Sequence, residues 1–381
     1  VASKAVILDS NKDYTGLRNL TITGELDAAT LDISGNVDVD GVLETDNLTV
    51  GGAQGTDGQV LTSTGSGVGW EDAGTGATFK TFGTSSIMIG DNATGTIDAA
   101  NYNTGVGVDV FAALTTGDDN TALGFASLTA NTTGHSNTAV GKGALDANTT
   151  GIRNTALGFD SLGANTEGTQ NTGLGKGALL VNTTGIENTG IGASAFDANT
   201  TGDFNTAVGQ GALDSNTTAD NNTALGHDSL KANTTGTYNV AVGAAALDAN
   251  TTGGSSVAAG YGALGANTTG GNNTALGHST LAANTTAANN VAVGHEALTA
   301  NTTGEYNVAV GAAAGDALTT GSVNTAVGYN TLGVATTAAN NTALGGQALA
   351  VTTSGANNTA VGMNSMVANT EGSNNVAVGA L

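Results

Sequence analysis

Residues 120–136 read NTALGFASLTANTTGHS, residues 137–153 NTAVGKGALDANTTGIR, and residues 154–170 NTALGFDSLGANTEGTQ. A chain that restates seventeen residues without a gap is decided by its repeat, not by any single motif. With the Asn of NTALG as position 1, the register runs from Asn103 through Asn120 and Asn137 to Asn375. Ser256 is the one change at that position, and no insertion interrupts the period. SIMIG, residues 86–90, sits one step earlier and reads as a degenerate first coil. A helical repeat needs more than about 30 residues for two packed helices, and heptads do not divide into seventeen. The repeat length therefore predicts a parallel β-solenoid.

Within the period, position 2 is always Thr or Val, position 3 Ala or Gly, and position 4 Val, Leu or Ile except at Ala259. Position 5 is Gly in every copy from Gly107 to Gly379. Side chains alternate across a strand, so positions 2 and 4 share one face and position 3 takes the other. Both faces are uncharged, which predicts a strand covered on both sides. Positions 7–11 read x-A-L-x-A, as in Gly143–Ala147, and predict a second short strand with one apolar anchor per coil at position 9, where Gly315 is the exception. The NTTG turn closes the coil, and its first Thr is kept from Thr115 to Thr370. Gly124, Leu128, Asn131 and Thr132 in one coil, and Gly141, Leu145, Asn148 and Thr149 in the next, are the expected structural anchors. Stacking such coils at about 4.8 Å gives a rod of roughly 80–85 Å. Proline would remove a ladder donor at nearly every position, and the chain has none.

Composition narrows the function. Of 381 residues 60 are Gly and 4% are aromatic, which suits a narrow core of small side chains. The formal charge of −23 would repel a phosphate backbone and an anionic membrane surface, so nucleic acid and such a membrane are both disfavoured as partners. A self-repelling acidic surface keeps a long object in solution. Without cysteine there is neither a disulfide framework nor thiolate chemistry. No stretch reaches the roughly 20 apolar residues of a membrane span. The chain opens without Met and stops just after the start of a repeat, so it is expected to be a processed portion of something longer.

A coil with an Ala-sized interior buries little apolar area, and a strand apolar on both faces needs a partner for one of them. Parallel association about the rod axis would supply it. NTAVG at 137–141 and NVAVG at 239–243 and 307–311 resemble the signature strand of trimeric autotransporter adhesin heads of the YadA type. That resemblance covers about residues 86–381 and implies a left-handed β-roll and a homotrimer, although this repeat is longer than the typical one. Earlier in the chain, LTITGEL (20–26), LDISGNV (31–37), VDVDGVL (37–43) and LTVGG (48–52) alternate apolar and polar residues around Gly turns. They predict a β-rich stalk over 1–54. GTDGQVLTSTGSGVGWEDA (55–73), with Trp70, is similar to a segment of bacteriophage tail-fibre proteins and opens a connecting β-element over 55–85. The β-roll of about eighteen repeats then fills 86–381.

Chemistry is sparse. His227, His278 and His295 fall at position 6, the last two on adjacent coils with Glu296 beside them. His278 and His295 are thus the residues a metal would take, but Phe125, Lys142, Gln210, Tyr261 and Met363 share the position, as in a variable surface turn. Asp146, Asp197, Asp214, Asp248 and Asp316 recur at position 10 without any calcium-loop pattern. NTT triplets match the glycosylation sequon, yet a stacked Asn/Thr ladder accounts for them. No catalytic set, phosphate loop or cofactor motif stands apart from the repeat. The expected role is a structural fibre on a virion surface, joined to other virion or fibre proteins at its ends and able to contact host-surface glycan. A bacterial or other extracellular surface adhesin is the alternative, and an ice-binding solenoid, suggested by the Thr rows at positions 13 and 14, is the second.

Overall fold

A computed structural model describes residues 49–50, 53–54, 59–63, 68–72, 78–82, 86–90 and 100–380. The stalk strands expected at 20–26, 31–37 and 37–43 lie outside these residues. The chain divides into two units, Val1–Gly74 and Thr75–Leu381. In the first, β1 (Thr49–Val50) pairs antiparallel with β2 (Ala53–Gln54), and β3 (Gln59–Ser63) with β4 (Val68–Asp72). Trp70 stands opposite Leu61 in that hairpin.

The second unit begins with β5 (Thr78–Phe82), antiparallel to β6 (Ser86–Gly90). The strand at 78–82, assigned from sequence to the connecting element, thus belongs to the solenoid's first pairing. From β6 onward all pairing is parallel and sequential: Ile87 aligns with Thr104, Thr104 with Thr121, and so on from β7 (Thr104–Val106) to β23 (Val376–Val378). SIMIG is therefore a rung in register. Among the described residues there is no helix; the architecture is an all-β parallel solenoid.

Each coil holds one strand of three residues, and the second strand expected at positions 7–11 does not form. The reason is visible in burial. Ala144 and Leu145 are both buried, whereas neighbouring residues on an extended chain point to opposite faces. The chain turns both inward by entering the left-handed region at positions 7 and 9: φ is 55° at Ala126 and 51° at Leu128. For Leu this costs about 1–2 kcal/mol, which burial of the side chain, about 2–3 kcal/mol, offsets. The return segment still bonds its neighbour: Leu128 N–H donates to Ala144 O at 3.1 Å and Ala130 N–H to Asp146 O at 2.9 Å.

Alanines at positions 3 and 8 and the position-9 leucines form a continuous core, from Ala122, Leu128 and Ala139 to Leu349 and Ala360. In the NTTG turn, Thr149 O accepts the N–H groups of Thr132, Thr133 and Gly134 at 3.0, 3.2 and 3.3 Å. Thr132 Oγ1 donates to the same carbonyl at 3.0 Å. Of these four donors only the Oγ1 hydroxyl depends on the side chain, and its bond to the next coil is what Thr supplies at this position.

Candidate functional site

Two buried asparagine ladders run along the rod. At position 12, Asn148 Nδ2 donates to Asn131 Oδ1 at 2.8 Å and to Gly151 O at 3.1 Å. At position 1, Asn137 N–H donates to Asn120 Oδ1 at 3.0 Å, and Asn137 Nδ2 to Gly151 O at 2.9 Å. Ser256 keeps the acceptor role, since Asn273 N–H reaches its Oγ at 3.2 Å. Asn131 and Asn148 are fully buried, so these sequons present no side chain to a glycosylating enzyme in the folded coil. A third device escaped the sequence reading. Asp118, Asp203 and Asp220 at position 16 each accept the backbone N–H one coil below, as with Ile186 N–H to Asp203 Oδ1 at 2.8 Å.

With the ladders inside, function falls to the surface. The strand expected to be covered on both sides is covered on one: position 3 is buried, while positions 2 and 4 face out, as in Thr121–Leu123. Leu123, Leu157, Leu225 and Leu344 are close to half exposed (46–47%), although they are large aliphatic side chains. No charge occurs at positions 2–4 in any coil from Thr104 to Val378. The acidic residues of these coils sit on the turns, at positions 7, 10, 14, 16 and 17. A flat, uncharged strip on a strongly acidic chain is the most distinctive surface of the molecule. In the first eight coils, Thr104 to Thr223, its outer row is Thr without exception, and afterwards Val enters at Val240, Val257, Val291 and Val308.

Position 6 forms an exposed row beside the strand. Tyr261, His278 and His295 stack with ring centroids 5.5 and 5.2 Å apart and interplanar angles of 19° and 10°. Two parallel imidazoles direct their in-plane lone pairs alongside each other, not towards a common point about 2 Å from both, as a metal requires. His295 Nδ1 lies 3.7 Å from Glu296. No group of three or more His, Cys, Asp or Glu among the described residues could hold a metal ion. Lys142 sits between Phe125 and Phe159, 5.8 and 5.5 Å from their rings, in cation–π geometry. His227 and Lys231 both approach Asp228, at 3.5 and 3.2 Å.

Several of the position-10 carboxyls are half-buried, Asp197, Asp214, Asp248 and Asp316 among them. Burial pushes the Asp197 carboxyl up to about 6, with further contributions from the charge of Asp214 and a hydrogen bond to it. Burial raises Asp146, Asp248 and Asp316 as well. A carboxyl with a raised folded pKa keeps its proton where the unfolded chain has released it. Its contribution is therefore full below about pH 4 and lost as pH rises through about 6. Thermal melting is expected at higher temperature at pH 5 than at pH 7.5. Asp197→Asn should narrow that gap, and an unchanged gap would remove Asp197 as its source.

Comparison with family models, with characterised proteins and with solved structures gave no match. No helix among the described residues is long and apolar enough to cross a membrane.

Proposed function

We propose that the chain is a rod segment of a trimeric surface fibre, carried on a virion and contributing mechanically to host attachment. The observation that carries this reading is the uncharged strip of positions 2 and 4, which runs the length of the ladder on a chain of net charge −23. Exposed apolar patches beyond a few hundred Å² mark interaction surfaces. For identical acidic chains the strip is also where approach meets least repulsion. Three copies packed in parallel would bury it and leave the acidic turns in water. The virion setting, the left-handed sense and the trimer draw their support from the resemblances at residues 55–73 and in the NTAVG strands; a bacterial surface adhesin is the alternative setting. The turn rows, position 6 among them, would remain outside for weak, repeated contacts with host glycan.

A second reading has one observation in its favour. The eight outward threonines from Thr104 to Thr223 make a regular hydroxyl row of the kind an ice-binding face needs. Sedimentation of the intact protein separates the two. A species of three times the 36.6 kDa chain mass is expected. A monomer would remove the trimer and leave the strip free, and thermal hysteresis of that monomer would then establish ice binding.

A further inference from the structure

Among the described residues, two buried side-chain oxygens lack a hydrogen-bond partner, Asn301 Oδ1 and Asp316 Oδ1, and they lie on adjacent coils. The first has a cause in the sequence. Position 12 is Asn in every coil from Asn131 to Asn301, then becomes Leu318, Ala335 and Thr352 before Asn returns at Asn369. Elsewhere in the ladder the amide of one coil usually donates to the oxygen below, as Asn284 Nδ2 does to Asn267 Oδ1 at 2.8 Å. Asn301 makes that donation to Asn284 at 3.1 Å but receives nothing from above, because Leu318 has no donor.

The same coil carries the compensating change. Gly315 replaces the position-9 leucine, and Leu318 is fully buried in its stead. A Cβ on Gly315 would lie 3.0 Å from Leu318 Cδ1 and 3.1 Å from Leu298 Cδ2, so the Leu318 side chain occupies the vacated space. The core is thus refilled while the amide ladder is cut. Strand pairing and the position-1 ladder do continue across the step: Val291 aligns with Val308, and Asn307 N–H reaches Asn290 Oδ1 at 2.9 Å.

In a stack where each coil contacts only its neighbours, stability is a sum of coil and junction terms, and opening starts at the weakest junction. We propose that the junction between the Asn290 coil and the Asn307 coil is a built-in breakpoint. The coils from Asn307 onward open together as a separate cooperative unit while the preceding stack stays closed. In a fibre this would let the segment beyond Asn307 yield without unravelling the shaft.

Hydrogen exchange of the full chain, read by mass spectrometry, tests the proposal. Amides from 307 to 380 are expected to exchange about tenfold faster than those from 137 to 300, the effect of one orphaned buried acceptor and one missing bond. The change should fall as a step between 301 and 318. Gly315→Leu with Leu318→Asn restores a donor to Asn301, so the step should move up one coil, to between 318 and 335, where Ala335 offers none. Leu230→Gly with Asn233→Leu transplants the defect and should create a new step between 216 and 233. A smooth gradient towards the C-terminal coils in the native chain would overturn the breakpoint, as would a step that stays between 301 and 318 in the restored variant. If the restored variant fails to fold, the transplant decides: without a new step the proposal falls.

Discussion

Replacing Asn205 by Ala is expected to cost about 2–4 kcal/mol in chemical denaturation, although no core methyl group is removed. The Asn205 side chain serves three coils at once. Its Nδ2 donates to Ala219 O at 2.8 Å, Asp203 O at 3.0 Å and Asn188 Oδ1 at 3.2 Å. Its Oδ1 accepts Asn222 N–H at 2.9 Å. Truncation strands that buried N–H inside the stack, and an unsatisfied buried donor costs more than the bond it made. Asn205→Ser should be much milder, because Ser256 already holds this position and still accepts the next coil's N–H. Equal losses for Ala and Ser would mean that packing, not the acceptor, governs the ladder.

Gly226→Ala is expected to be at least as damaging, about 4 kcal/mol or more, with loss of soluble folded protein a real outcome. Gly226 has φ of 144°, a region that costs an L-residue about 1–3 kcal/mol. Its missing Cβ would also press on the Gly243 carbonyl, 2.5 Å from the oxygen and 2.6 Å from the carbon. That carbonyl belongs to the next coil's backbone, so relief would require spreading the stack. Gly262→Ala is the control. Its φ is 61°, a Cβ there meets nothing within 4 Å, and Ala245 already occupies the equivalent position at φ 53°. A loss of about 1 kcal/mol or less is expected there. Melting of the two variants side by side checks the contrast, and similar losses would refute the close-approach argument.

These residues show how much was legible beforehand. Gly in every copy at position 5 signalled a special backbone position, and the coordinates give the cause as close approach between coils. The NTTG turn read correctly as an Asn/Thr tie, since the reading needed only the fact that equivalent residues stack. The second strand misread for a physical reason: at position 9 the left-handed turn falls on Leu in most coils, which gives no local cue for it. At position 7 the residue ranges from Gly, Asp and Asn to Ala, Ser and Glu, so the cue is scattered among the copies. The available cue was the adjacent pair Ala–Leu, uncharged at both positions, which an extended half-buried strand does not require. Leu318 was readable too, since Gly315 and Leu318 change together within one coil, but their meaning depends on a contact across three residues and a bond across seventeen.

From the amino-acid sequence alone came the period, the parallel in-register stacking, the small-residue core, the need for a proline-free ladder and the placing of charge on the turns. Periodicity determines these, because every equivalent residue must tolerate its own copies one coil above and below. The tertiary structure alone decided how many strands a coil holds, which strand face is buried, where half-buried carboxyls meet and where the amide ladder breaks. Those depend on left-handed backbone turns and on contacts between coils, which no single seventeen-residue unit contains.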